Sequence, residues 1–438
     1  MSFWKNKPVS IKQVFTSNLI VTADTLLENS SKEMETGKIQ LDYDVILNPD
    51  TYTRQQMLNF INKNYGDDKS DLVLEYSQEL FDYFIKPDNL CIVFYARGNR
   101  LNNAYNFPKM IGLIIAKKHQ LFIRDKTDTD KATDNTTEKI IENNITSDKI
   151  ETYRDFKVYD CIDVDFLCLI QKLRNMHVSS FMINAVTKEC MIQYDKTVAC
   201  AVYTVGKRLA VENFCKKTYY HRPINIENVL KTDMLSVSDC DDEETGSRLL
   251  KRVYNSFSYP RSFFDDRILE YFTNFDDYET DKSIFTDVIY NNLFSYSCKT
   301  YDIFEHRTRE DILNMLKNPV FHKFVIRDQA GIIKDFVCLY NLDTRNGKIN
   351  DKSRNGHFYT WFLSNPSNEY LSYVLEAISE YSYNNNIFDM ITIMNIFNAR
   401  PEDYKTFKLL RGSADLYYYV YNIEVPKIMS HKNGLVTI

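Results

Sequence analysis

The sequence predicts an α+β chain built as two halves of similar element order. Three observations carry this. Apolar residues at helical spacing alternate with short apolar runs of strand length. One succession (helices, a hairpin, a central strand, a helix, a further strand) reads once in residues 1–230 and again in 231–438. At 438 residues, 44% hydrophobic and 26% charged, the chain is ordinary globular material with two or three domains' worth of core. The duplication lies in the pattern, without visible sequence identity.

Residues 54–63 place Met57, Leu58, Phe60 and Ile61 at helical spacing, and Asn64-Tyr65-Gly66-Asp67-Asp68 follows as a loop. Residues 76–86 repeat the pattern with Leu80, Phe81, Phe84 and Ile85 until Pro87 ends it. Leu90–Tyr95 and Met110–Ala116 read as a hairpin with a long polar loop. Residues 124–156 are rich in Asp, Thr, Lys and Asn and read as a solvated, mobile insertion, with a docking loop as the other reading. Val158–Ile170 reads as buried strand. Residues 178–193 read as a helix with Phe181, Met182, Ala185, Val186 and Ile192 on one side, and Thr197–Thr204 as a strand ending at Gly206. The acidic run Ser238–Glu244 reads as a loop near a domain boundary; it lacks the glycine and spacing of an EF-hand. In the second half, helices are expected near 283–297, 308–317 and 369–385. Strands are expected at Lys323–Arg327, Lys334–Leu342, His357–Leu363, Met390–Met394, Leu416–Ile423 and Leu435–Ile438.

Several function classes are disfavoured. The balance of 54 Lys+Arg against 60 Asp+Glu, net −6, argues against a dedicated nucleic-acid binder. No run of about 18 apolar residues is present, so no membrane-spanning helix is expected. Met1–Lys7 lacks an apolar stretch, so no secretory signal is expected and a cytoplasmic location follows. The nine cysteines are odd in number and form no C-x-x-C pair, which fits free thiols in a reducing compartment. No G-x-S-x-G, P-loop, G-x-G-x-x-G or H-E-x-x-H occurs, and the seven histidines are far apart. No metal site is expected, and an enzyme here must draw much of its chemistry from backbone groups and positioning.

Seven segments, in order, carry a resemblance to a known family. They are Phe3-Trp4 with Pro8-Val9; Asn64-Tyr65-Gly66-Asp67-Asp68 with Tyr76-Ser77; Asp163-Val164-Asp165-Phe166-Leu167-Cys168 running on to Lys172-Leu173-Arg174; Ala201-Val202-Tyr203-Thr204-Val205-Gly206; Tyr219-Tyr220-His221-Arg222-Pro223-Ile224-Asn225; Asp335-Phe336-Val337-Cys338-Leu339-Tyr340; and Leu416–Asn422 with Gly434–Ile438. Together they resemble N-myristoyltransferase, which moves a C14 acyl group from its CoA thioester onto an N-terminal glycine. The resemblance spans nearly the whole chain. It implies two fused acetyltransferase-like (GNAT) halves in a pseudo-twofold arrangement around a mixed, saddle-shaped sheet. The first half would hold the acyl-CoA and the second would complete the peptide groove.

The family pattern also implies roles. Thioester aminolysis places negative charge on the carbonyl oxygen, and a pre-aimed backbone N–H stabilises it by about 3 kcal/mol. By resemblance these donors are the amides of Phe166 and Leu167, at a bulge in the central strand; from the residues alone, Phe166-Leu167-Cys168 is plain buried strand. The base for the attacking amine would be the C-terminal carboxylate of Ile438, drawn inside by Leu435-Val436. Thr204 would hydrogen-bond the amine, or is simply a strand-end threonine. Acyl-CoA would lie against Phe3, Trp4, Phe166, Leu167, Cys168 and Leu169. Its pyrophosphate would meet Lys172, Arg174, Asn175, Met176, His177, Val178 and Ser179, before and at the start of the helix from 178. The peptide groove would take Tyr65, Asp67, Asp68, Tyr76, Tyr203, Gly206, Tyr219, His221 and Phe358. Asp67 and Asp68 would favour basic substrate residues, or only solvate a loop; His221 would meet a polar peptide side chain, or is a structural histidine.

The chain departs from the family at Asn175-Met176-His177, at Ile170 in place of a histidine, at Tyr220 in place of a tryptophan, and at Gly412-Ser413-Ala414, where a groove acid is missing. These changes bear on peptide preference and CoA affinity more than on acyl transfer. The expected protein is therefore a glycylpeptide N-tetradecanoyltransferase, working on myristoyl-CoA and N-terminal-glycine peptides as a monomer, with no metal and no permanently bound cofactor. An acyltransferase of the same fold with another acyl length or a lysine acceptor remains an alternative, as does a non-catalytic acyl-CoA or peptide binder.

Overall fold

The computed structural model describes residues 10–12, 20–36, 41–66, 72–95, 110–125, 155–174, 176–198, 200–235, 243–260, 263, 266–348, 351–365, 367–395 and 401–436. The first half supplies strands β1 (Asp42–Leu47), β2 (Leu90–Tyr95), β3 (Met110–Arg124), β4 (Phe156–Leu169), β5 (Cys200–Val205) and β6 (Cys215–Pro223). Its main helices are α1 (Ala23–Thr36), α2 (Thr51–Asn64), α3 (Gln78–Phe84) and α4 (Val178–Gln193). The second half supplies β7 (Arg267–Phe272), β8 (Ile303–His306), β9 (Phe321–Asp328), β10 (Ile333–Asn341), β11 (Asn355–Phe362), β12 (Met390–Met394) and β13 (Leu410–Tyr421). With them go helices α5 (Lys282–Thr300), α6 (Arg309–Lys317) and α7 (Asn368–Asn384).

These thirteen strands form one mixed sheet in the order β1-β2-β3-β4-β5-β13-β6-β12-β11-β10-β9-β7, with β8 pairing β3, and shorter strands make two small sheets beside it. Each half contains the same device. A strand paired antiparallel to its predecessor runs parallel to the strand that follows its helix, over a few residues only. In the first half β4 pairs β5 at Cys161–Val164, and in the second β11 pairs β12 at Asn355–His357. Both long strands continue past these pairs, so the sheet opens on each side as a wedge. Both also carry a bulge just there, at Phe166–Leu167 on β4 and at Tyr359 on β11. Between the wedges the halves exchange strands: β13 pairs β5, and β6 pairs β12.

Local chemistry accounts for the helices. Asp50 caps α2 by accepting from the Thr53 amide at 2.7 Å, and Met57, Leu58, Phe60 and Ile61 form its buried stripe. Ser77 caps α3, Ser367 caps α7, and Thr308 with Asp311 forms a capping box on α6. Phe81, Phe166, Phe285, Phe321 and Phe336 share one core beneath α2, α3, α5 and α6. A second core packs Val374 and Ile378 of α7 on the opposite face. A third lies under α1 and α4, around Phe94, Met182 and Ala185.

Several expectations need correction. The strand from Met110 continues to Arg124, and its partner starts at Phe156, so only the middle of the expected 124–156 insertion lies outside the described residues. Helix α3 is shorter than 76–86 because Ser77 starts it and Lys86-Pro87 follows. Glu243 and Glu244 open a helix, Glu243–Tyr254, rather than closing a loop; residues 236–242 lie outside the described residues. The division expected at residue 230 falls inside the helix Ile226–Lys231. No strand forms at Leu435–Val436; Asn433 bridges Ile303 instead. The pattern does not predict strands β1, β6, β7 and β8 or helix α1.

Candidate active site

The bulge on β4 is the centre of the site. Asp165 pairs Ile115 and Cys168 pairs Leu113, so Phe166 and Leu167 together face the single residue between them on β3 and have no register partner there. Phe166 sits at φ +49°, uncommon for a side chain other than glycine. Its ring is held by Tyr65, Tyr76 and Phe81 at centroid distances of 5.7, 5.2 and 6.0 Å, which overdetermines the strained backbone. On the other side β4 has parted from β5. The arrangement aims backbone at a wedge rather than into a ladder. Cys168 next to it is buried, and burial pushes its thiol up to about 12, so it is no thiolate nucleophile at neutral pH.

The α4 N-terminus lies nine residues past Leu169. His177 precedes it at φ +62° with no side-chain cap, and Met176, His177 and Ser179 are exposed while Val178 is buried. Of the first-turn amides, that of Ser180 donates to the His177 carbonyl at 3.2 Å, which leaves those of Val178 and Ser179 for an anion. Lys172 is exposed beside them. Arg174 is differently engaged: its guanidinium donates to the carbonyls of Leu169 (3.2 Å), Gly66 (2.9 Å) and Asn64, tying the end of α2 to the end of β4. Phe3, Trp4, Asp67, Asp68, Asn175 and Ile438 lie outside the described residues.

A charged cavity adjoins the bulge. Lys117, Asp163, Asp165, Glu305, Arg307 and Asp311 line it, together with Val436 near the end of the chain. Lys117 and Glu305 pair at 2.5 Å, and Glu305 also faces His119 at 3.7 Å. Burial disfavours the Glu305 carboxylate, but Lys117, His119 and Arg307 outweigh this and hold it well below the usual range. Asp163 and Asp165 go the other way. Burial, and for Asp163 also the charge of Asp165, pushes them up to about 8 and about 6.

The residues expected to contact a peptide lie mainly on β5, β6 and β11. His221 on β6 places Nδ1 3.0 Å from the Thr392 hydroxyl, and burial lowers its pKa to about 4, so it is neutral at pH 7. A Cβ at Gly412 would lie 2.6 Å from His221 Nε2, so glycine is required for this approach. Gly412, Ser413 and Ala414 lie between the β13–β6 pairs Arg411–Tyr220 and Asp415–Thr218, opposite Tyr219 alone. Burial pushes the Tyr219 phenol up to about 12. Tyr203 stacks on Tyr419 at 5.3 Å, Thr204 is half-buried opposite Tyr418, and Gly206 faces open space. Phe358 is buried in the core with Trp361, rings 6.0 Å apart, and strand alternation turns it away from its neighbour His357. His357 instead stacks on Tyr340 at 5.2 Å, and burial, with His221 nearby, lowers its pKa to about 3.

The sequence reading missed Asp163, Asp165, Lys117, Glu305, Arg307, His357 and Thr392. A signal existed for the first two: a pair of acids two residues apart inside an apolar strand. The rest come together only through pairing of distant strands. Among the described residues no group of side chains has metal-ligand spacing, and no helix is long and apolar enough to cross a membrane.

Comparison with known proteins follows this geometry. The family model described as "Myristoyl-CoA:protein N-myristoyltransferase, N-terminal domain" matches residues 23–215. A glycylpeptide N-tetradecanoyltransferase 2 from Bos taurus is 20% identical over 446 aligned positions, covering 99% of this chain and 76% of that one. The glycylpeptide N-tetradecanoyltransferases of Mycosarcoma maydis and Candida albicans are 22% and 23% identical, over 52% and 61% of this chain and 28% and 56% of their own lengths. A solved structure of Saccharomyces cerevisiae N-myristoyltransferase with bound myristoyl-CoA superposes with a TM-score of 0.70 at 16% identity, covering 100% of this chain and 93% of that one. In sequence over residues 23–215 and in fold over its length, the chain is N-myristoyltransferase-like.

Proposed function

We propose that the protein transfers a myristoyl group from myristoyl-CoA to the N-terminal glycine amine of peptides or proteins. The observation that carries this is the unladdered bulge at Phe166–Leu167, opening on a wedge in a chain of N-myristoyltransferase fold. The thioester carbonyl would lie against the Phe166 and Leu167 amides, with the CoA pyrophosphate at the α4 N-terminus beside Lys172. A free α-amino group has a pKa near 8, so it needs only a modest base to become nucleophilic. In our reading that base is the carboxylate of Ile438, two residues beyond Val436, which lines the charged cavity. The amine forms the C–N bond, the tetrahedral oxyanion is held by the bulge amides, and collapse breaks the C–S bond. One proton passes from the ammonium to the base; a second leaves the bonded nitrogen and ends on the departing thiolate. Thr204 would orient the amine, and His221, being neutral, would exchange a hydrogen bond with a peptide side chain. A monomer acting in the cytoplasm, without nucleic acid, is part of the same proposal.

Single-turnover thiol release from myristoyl-CoA tests it, with and without a peptide bearing N-terminal glycine, and with palmitoyl-CoA as control. Peptide-dependent release with the matching acyl-peptide mass is expected. Tight myristoyl-CoA binding with no release for glycine, alanine or internal-lysine peptides would instead identify a binder.

A further inference from the structure

Lys217 on β6 has zero exposure. Its Nζ donates to the Leu435 carbonyl at 2.7 Å and lies 5.0 Å from the centroid of the Tyr418 ring. The Tyr418 hydroxyl donates to the same carbonyl at 3.3 Å. Burial lowers the Lys217 pKa to about 8, and no carboxylate of the described residues offsets this; the Cys215 thiol is the one group that opposes it. An ammonium without an anionic partner is a costly way to fill space in a core. A methionine would fill it without that desolvation.

The segment that Lys217 holds has other fastenings too: the Asn395 side-chain amide donates to the Ser430 hydroxyl at 3.0 Å, and the Leu435 side chain is buried. The Asp302 amide donates to the Lys432 carbonyl and the Gly434 amide to the Ile303 carbonyl, both at 2.8 Å, which lays residues 432–434 along β8. The next carbonyl, that of Leu435, turns to Lys217 and Tyr418. Val436 then lines the cavity that holds Asp165, the residue before the bulge.

We propose that Lys217 is a positioning residue for acyl transfer: by gripping the Leu435 carbonyl from β6 it seats Val436 in the cavity beside Asp165, the residue before the Phe166–Leu167 bulge. This rests on the transferase reading above. It differs from a stabilising role in sign, because losing the ammonium relieves the core while loosening the chain end.

The test uses the full chain with Lys217→Met. Lys323→Met serves as control, a second buried lysine whose Nζ donates to the Thr273 and Asn318 carbonyls, both at 2.8 Å. Tyr418→Phe is the milder variant, removing one donor from the Leu435 carbonyl should Lys217→Met fail to fold. Three quantities are read: the thermal midpoint, the rate at which carboxypeptidase releases C-terminal residues, and the single-turnover transfer rate beside the myristoyl-CoA Kd. Lys217→Met is expected to melt no lower than the parent and to lose C-terminal residues more than about tenfold faster. Its transfer step should slow by about a hundredfold with the acyl-CoA Kd unchanged, as misplacement of a reacting group does. Lys323→Met should leave tail release and transfer alone. Unchanged tail release and transfer in Lys217→Met would overturn the proposal. So would equal losses of midpoint and acyl-CoA binding in both lysine variants. If the parent itself shows no peptide-dependent release, the transferase reading fails, and tail release still decides whether Lys217 seats the segment.

Discussion

Asp163 and Asp165 sit two residues apart on β4 and line the same cavity, so ionising one makes the other harder to ionise. Burial is the larger cause: with the charge of Asp165 it pushes Asp163 up to about 8, and with that of Glu305, against Lys117, it pushes Asp165 up to about 6. A raised carboxyl pKa means that the native state keeps a proton the unfolded chain has already lost. Their contribution to stability is therefore complete below the ordinary carboxylate pKa of about 4 and is lost as pH rises through the native values. Asp163→Asn should raise the thermal midpoint above the parent's at about pH 8.5 and leave it nearly equal at about pH 4. The same gain at both pH values would show that the acid does not keep its proton in the native state. Gly412 offers a second residue-scale test. A Cβ there would press on His221 Nε2 at 2.6 Å and on the Tyr219 carbonyl at 3.1 Å. The backbone oxygen is fixed by the sheet, so the imidazole must leave Thr392. Overpacking of this kind costs about 1–3 kcal/mol. Gly412→Ala should raise the peptide KM by about tenfold with acyl-CoA binding intact. An unchanged peptide KM would remove His221 from the groove.

The elements that read directly from the sequence are those whose pattern is their own. Helix α4 spans the expected 178–193 because Phe181, Met182, Ala185 and Val186 form a buried stripe, although Ile192, expected on it, is exposed; β12 spans the expected Met390–Met394 because it is buried throughout and apolar but for Thr392. Strand β6 did not read because its inward positions include Lys217, and its β-sheet character comes from neighbours far away in sequence. The bulge is illegible in composition, since Phe166-Leu167 fits a regular strand equally well; its place came from the family resemblance. The charged cavity is illegible for the same long-range reason, being assembled from β3, β4, β8 and α6. At the start of α4 the structure permits a prediction that separates stability from function. The first turn contains no acidic residue, and His177 makes no capping bond, so the helix end carries uncompensated N–H groups. Ser179→Asp at this exposed position should stabilise the free protein by about 0.3–1 kcal/mol through the helix dipole. The same charge would repel a pyrophosphate. The expected result is a raised thermal midpoint together with a raised KM for myristoyl-CoA and an unchanged kcat. Unaltered acyl-CoA affinity in a stabilised variant would place the phosphates elsewhere.

At the scale of the molecule, the two halves are alike in topology but do not close separately. In the first, β6 has both its neighbours, β13 and β12, in the second half, and β5 has β13 beyond it. Strand β8 of the second half pairs β3 of the first. Polar contacts reinforce the exchange: Arg124 pairs Asp302 at 2.9 Å and donates to the Cys298 and Tyr301 carbonyls, Lys117 pairs Glu305, and Lys86 pairs Asp311. The charged cavity is divided too, with Asp163 and Asp165 on one side of the exchange and Glu305, Arg307 and Val436 on the other. A fragment ending at residue 238 would leave β6 with two bare edges, Lys117 without Glu305 and Arg124 without Asp302, and a fragment starting at 239 would bare β12 and β13. Unpaired edges of this kind favour aggregation over folding. Each fragment expressed alone should therefore give no cooperative melt and no protected amides in β5 or β6. The two expressed together should recover a one-to-one complex with the parent's sheet and its peptide-dependent thiol release. The complex, unlike the single chain, should melt at a midpoint that rises with concentration, because its folding is then also an association. A first fragment that folds alone, with β6 amides protected from exchange, would mean that the strand exchange is an ornament of the fold and that the site could have been built from one half.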